Sequence, residues 1–193
     1  MPNKEPHPLL AGAITAAETL ISQDHFSIEN LCHALDCGLK ELGDAIGSLD
    51  ELLAHVNGRF MGAYLEKAAA AEAGVSDNTD ALIRLAQTWY DHALEQPQRM
   101  KVLLQHRWSP GFVRPDWYVA RVNACFVPVE QRLRAAAPDA AGAQVSAVAR
   151  AIYAQICGLY FLTSNERATP AGIADQRKLL ALSVTLLVQG LTK

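Results

Sequence analysis

The chain has 193 residues, 50% of them hydrophobic and 19% charged, with a formal net charge of −3. That length suits one large or two small globular domains, and the charge gives no overall pull toward nucleic acid or an anionic membrane. The imbalance is local: residues 1–66 carry ten Asp and Glu against three Lys and Arg (Lys4, Lys40, Arg59), the remainder ten acids against fourteen bases. The opening MPNKEPHP has no apolar h-region and does not read as a signal peptide. Leu10, Ala13, Ile14, Ala17, Leu20 and Ile21 recur at helical spacing and predict a first helix over 8–23. Ser27 is the expected N-cap of a short second helix carrying Ile28, Leu31 and Leu35. Gly38 allows a turn, and Leu42 with Ile46 forms a third short helix.

Ser48, with Glu51 three residues on, is a capping box that opens a long fourth helix to about Ala71. AGVSDNTD is the clearest break in the chain. Further helices are expected near 79–95, 97–107, 115–136, 142–163 and 171–191. Pro97 suits a first turn, Pro110 and Pro115 bracket the loop WSPGFVRPDW, and APDAAG and NERATPAG are the last linkers. No period-two pattern persists anywhere. The expected fold is all-α, with an N-terminal three-helix unit (1–48) and a larger helical body (49–193).

The stretch from Leu35 to Leu52 resembles, without a gap, the helix-turn-helix of the tetracycline-repressor-like (TetR) family, which commonly runs A-G-V-S-x-x-x-L-Y-x-H-F-x-S-K-E-E-L. Leu42 falls on the leucine, Ile46 on the phenylalanine, Ser48 on the serine, and Asp50-Glu51-Leu52 on the E-E-L that opens helix four. ALEQPQRMKVLL and ARAIYAQICGLYFL are similar to later segments of the family. The departures share one character. Asp36 stands at the turn glycine, Gly38 at the capping serine, Gly43 at the tyrosine, Ala45 at the histidine and Leu49 at the lysine. In the family the last three positions touch phosphates, so the resemblance implies a reader whose packing positions are kept and whose binding positions are emptied. Ser27, Lys40, Glu41 and Ser48 remain as candidate DNA contacts, through capped helix N-termini and base edges.

The resemblance also implies a sensor body and a homodimer. Ten of the thirteen aromatic residues lie beyond residue 88. Trp89, Trp108, Phe112, Trp117, Tyr118 and Tyr153 are candidate walls for a small apolar or aromatic effector, with Arg121 (or Arg114) at its polar end. Taken one at a time, each ring is as well explained as core. Ile152, Gln155, Ile156 and Leu159, with Leu182 and Leu186 on the last helix, form the candidate dimer face, the alternative being that both stripes face the chain's own core.

Cys32-x4-Cys37 lacks zinc spacing and a second pair, and the four cysteines fit reduced thiols of a cytoplasmic protein. Glu29/His33 and Glu51/His55 are i, i+4 pairs expected on solvated faces. No nucleophile elbow, phosphate loop or metalloprotease motif occurs, so no enzyme, metal or cofactor is expected. Nor is a membrane partner, because the uncharged run LLALSVTLLVQGL falls short of the roughly 20 residues a bilayer span needs. The expectation is a ligand-responsive transcriptional regulator with weak or atypical hold on operator DNA. The alternative is a ligand- or protein-binding helical module that has left DNA altogether.

Overall fold

The structure, a computed structural model, describes residues 7–164 and 172–192. Lys4 and most of the NERATPAG linker lie outside them. Among the described residues there are nine helices and no strand: α1 (Pro8–Ser22), α2 (Ile28–Leu35), α3 (Leu39–Ile46), α4 (Leu49–Glu72), α5 (Asn78–Glu95), α6 (Pro97–Gln105), α7 (Asp116–Ala136), α8 (Gly142–Ser164) and α9 (Ile173–Leu191). Each predicted helix is present, with ends within two residues or so, because caps and prolines act locally.

Two compact units divide the chain. The first takes residues 1–60 and 96–120, the second 61–95 and 121–193. The expected boundary at residue 48 therefore falls inside the first unit. That unit recruits α6 and the proline-broken loop, which the sequence had assigned to the body. Its core joins Ala13, Ala17 and Ile21 of α1, Leu31 of α2, Leu42 and Ile46 of α3, and Leu52 and Val56 of α4, with Val102 of α6 packed against it. Leu42, Ile46 and Leu52 among them are positions of the resemblance that stayed apolar.

In the second unit α5, α8 and α9 pack on one another. Leu82, Leu85, Trp89, Val145, Ile152, Ile156, Leu180 and Val184 are buried there. Helix α8 is long and apolar enough to cross a membrane by length and composition alone. Its Val145–Ala149–Ile152–Ile156–Leu159 face is buried in this core instead.

Ion pairs join distant segments within each unit. In the second, Arg132 donates to Glu72 at 3.1 Å and Arg177 to Asp91 at 2.7 Å. In the first, the buried Glu18 of α1 holds Arg59 of α4 at 3.2 Å and Arg99 of α6 at 3.6 Å.

Candidate functional site

The α2–α3 pair is built from local rules. Ser27 Oγ accepts the Asn30 N–H at 3.0 Å, and the Asn30 side chain donates to His25 O at 2.8 Å, closing the turn after α1. Asp36 ends α2 at φ 50°, ψ 46°, and the Cys37 N–H returns to Cys32 O at 3.1 Å, a helix stop ordinarily given to glycine. The backbone of the turn glycine is thus kept although its residue is not. Gly38 caps α3 without a side chain, and Ser48 Oγ accepts the Glu51 N–H at 3.1 Å to start α4.

On α3, Leu42, Ala45 and Ile46 turn inward, while Lys40, Glu41, Gly43 and Asp44 are exposed. Ala45 is only 7% exposed, so the position held by histidine in the family is closed here. Open space surrounds Gly43. Leu39 and Leu49 are 69% and 40% exposed, leaving apolar side chains on the surface. Arg59, the other cation of the first 66 residues within the described range, is engaged by Glu18. The outward face of α3 therefore offers Lys40 against Glu41 and Asp44.

Behind this surface, Asp50 in the first turn of α4 is buried and accepts from His106 Nε2 at 2.7 Å and from the Ser109 N–H at 3.1 Å. Burial by itself would push the Asp50 carboxyl up, but hydrogen bonds from Ser109 and His106 outweigh it and hold the group below the usual carboxylate range. Trp108 stands edge-on to His106 at 4.8 Å, stacks on Phe112 at 5.3 Å and meets Tyr118 at 5.4 Å. Trp117 stacks on His55 at 4.6 Å. His55 is thus half-buried against a ring rather than on a solvated face, and its pKa is lowered chiefly by that burial.

The expected aromatic wall is divided. Trp108, Phe112, Trp117 and Tyr118 form a ring cluster in the first unit. Trp89 and Tyr153 belong to the second, where they line an apolar cavity of about 30 Å³ with Tyr64, Leu85, Phe126 and Ile156. Tyr64 meets Trp89 edge-on at 4.1 Å, and Phe126 meets Tyr153 at 5.6 Å. Cys125 also lines the cavity, and burial pushes its thiol up to about 12. Arg121 is exposed, its guanidinium lying over Gly62, where an added Cβ would sit 3.5 Å from Nη1; Arg114 is exposed as well. Sequence reasoning did not place Tyr64 in this wall and missed the Asp50–His106 pair. Nothing local signals a partner 56 residues away.

The dimer stripe on α8 is corrected by burial. Ile152, Ile156 and Leu159 are 2%, 4% and 5% exposed within one chain, and Gln155 is half-buried. The outward face of α8 is instead Ala147, Ala151, Ala154, Gly158, Phe161 and Leu162. On α9, Leu182 and Leu186 are exposed as expected, at 57% and 58%, together with Leu179.

No family model matches the chain, and no curated protein is similar to it in sequence. Solved structures are similar in fold. The chain superposes on a protein of unknown function from Rhodococcus sp. RHA1 with TM-score 0.73 at 16% identity, covering 100% of both chains. A TetR transcriptional regulator from Streptomyces coelicolor matches with TM-score 0.63 at 16% identity, over 96% of this chain and 97% of that one. The TetR family transcriptional regulator PfmR from Thermus thermophilus matches with TM-score 0.60 at 16% identity, over 94% and 99%. The fold is TetR-like and all-α, as the helix-turn-helix skeleton implied.

Proposed function

From a fold shared over nearly its whole length with TetR regulators, we propose that this protein is a ligand-responsive transcriptional regulator, cytoplasmic and homodimeric, that holds DNA weakly or through an unfamiliar surface. The observation that carries this is the intact α2–α3 scaffold, with its Ser27 and Ser48 caps and left-handed Asp36, under an outer face of α3 that sets Lys40 against Glu41 and Asp44. Affinity for duplex DNA rests largely on Lys and Arg displacing counterions, commonly about 6–10 phosphate contacts for a repressor. Lys40 and the helix N-termini at Ser27 and Ser48 are the groups that remain, with Glu41 available to accept from cytosine. A regulator of this kind needs no catalytic residue, and we assign none.

The effector site of this reading is the cavity around Trp89 and Tyr153. At about 30 Å³ it has room for about one water molecule. Ligand pockets usually span roughly 300–1,000 Å³, so an effector must open it. Pro128 interrupts the hydrogen-bond ladder of α7 beside Phe126 and Val129 and supplies a place for that wall to give. Two copies would meet through the outward faces of α8 and α9.

The test is binding to a promoter fragment from the protein's own locus, titrated from low to physiological salt. Binding that is micromolar and steeply salt-sensitive supports the proposal. Nanomolar, sequence-specific binding at physiological salt, abolished by Lys40→Ala, would overturn the claim of a weakened surface. The second reading, a ligand- or protein-binding module that has left DNA, is favoured by Leu39 standing 69% exposed at the start of α3. No shift of any duplex at low salt would select it.

A further inference from the structure

A recess of the first unit lies between the end of α1 and α6. It encloses about 300 Å³, ten times the cavity around Trp89 and at the lower end of the range for small-molecule sites. Its floor is apolar, made by Ile21, Phe26, Leu53 and Val102. Its rim carries one charge of each sign, Asp24 and Lys101, with the amides of Gln98 and Gln105 on the same helix as Lys101.

Two observations mark it as a built recess rather than a loose seam. Helix α6 is tied down at both ends, through Arg99 to the buried Glu18 of α1 and through His106 to the buried Asp50 of α4. The groove lies between those ties, with His106 itself in its wall. Asp24, moreover, is held at φ 58°, one of two non-glycine residues in the left-handed region among those described. Asp24 and Lys101 both line the recess, yet they form no ion pair with each other or with any other described residue.

We propose that this groove binds a small zwitterion with an apolar body, of the kind an α-amino acid with a branched or aromatic side chain provides. Its carboxylate pairs with Lys101, its ammonium with Asp24, and its side chain covers Ile21, Phe26, Leu53 and Val102. A purely anionic ligand meets Asp24, and a purely cationic one meets Lys101, so the opposed rim selects for both charges together. An occupant here touches the wall formed by His106 and so bears on the tie to Asp50, which opens the helix following α3.

The experiment is isothermal titration of the full chain with L-phenylalanine and L-leucine, beside 3-phenylpropanoate and phenethylamine, which each lack one charge. The amino acids should bind saturably, and each single-charge analogue about tenfold or more weaker, as the loss of one charge-assisted hydrogen bond implies. Lys101→Gln should remove the preference over phenethylamine, and Asp24→Asn the preference over phenylpropanoate. Both positions are exposed and Asn tolerates the left-handed backbone, so thermal melts of the variants should match the parent. Absence of saturation to millimolar amino acid, analogues that bind as well as the amino acids, or binding indifferent to both substitutions overturns the proposal. DNA binding does not enter this measurement, so its outcome is separable from the regulator reading.

Discussion

Trp117 lies over Gly58: a Cβ built on that glycine would sit 2.9 Å from the indole ring, closer than side chains pack. Gly58 is mid-helix in α4, where glycine costs roughly 0.5–1 kcal/mol relative to alanine, so its presence is explained by the ring above it. Gly58→Ala should destabilise the protein by about 1–3 kcal/mol in spite of the better helix former, because a rigid indole must shift. In a Trp117→Ala background the same change should turn neutral or stabilising. Denaturant titration of the four proteins measures the coupling, and additive effects would show that the contact is not what holds the glycine.

The Asp50–His106–Ser109 cluster sets a pH dependence on the acid side. The folded pKa of Asp50 is depressed, so its contribution to stability is complete above the ordinary carboxylate value. It is lost as pH falls through the lower folded value. Asp50→Asn should lower stability near neutral pH by about 1–3 kcal/mol, since the charge-assisted bonds from His106 and Ser109 are weakened. The difference between the two proteins should shrink below the carboxylate range. Parallel stability curves from pH 7 to pH 3 would deny Asp50 this role.

Burial on α8 and α9 separates two kinds of substitution. Leu182→Asp and Leu186→Asp, on exposed positions, should leave each chain folded and shift sedimentation from dimer to monomer. Ile156→Asp, at 4% exposure, should instead unfold the second unit, with a loss of roughly 4 kcal/mol or more from an unpaired buried charge. Sedimentation combined with circular dichroism distinguishes the outcomes. A parent protein that is monomeric at micromolar concentration ends the homodimer proposal.

The emptied positions of the helix-turn-helix can be refilled selectively. Leu49→Lys places a cation on an exposed site at the start of α4, and each new phosphate contact should steepen the salt dependence of binding by about 0.9 in log–log slope. Two protomers would double that change. Ala45→His should fail to help, since residue 45 faces the core. Fluorescence anisotropy with a labelled duplex over a salt series reads both, and a rise in affinity from Ala45→His would mean that the closed position opens in solution.

What could be read in the chain alone was whatever is decided within a few residues. The caps at Ser27 and Ser48 depend on hydrogen bonds spanning three positions and the first-turn proline of α6 on its own fixed φ, so sequence spacing specifies them. The inward set Leu31, Leu42, Ile46 and Leu52 was legible for the same reason, because the surrounding residues are polar and leave one apolar face. On α8 that contrast is missing. Ile152, Ile156 and Leu159 stand on one side and Ala151, Ala154, Gly158 and Phe161 on the other, both apolar, and only packing against α5 and α9 decides which side is core. The aromatic residues pose the same problem over longer range. Trp89 and Trp108 are 19 positions apart and end in different units, while Asp50 and His106 are 56 apart and share a hydrogen bond. Such choices are made by the burial of whole surfaces, and a chain of evenly apolar helices carries no local mark of them.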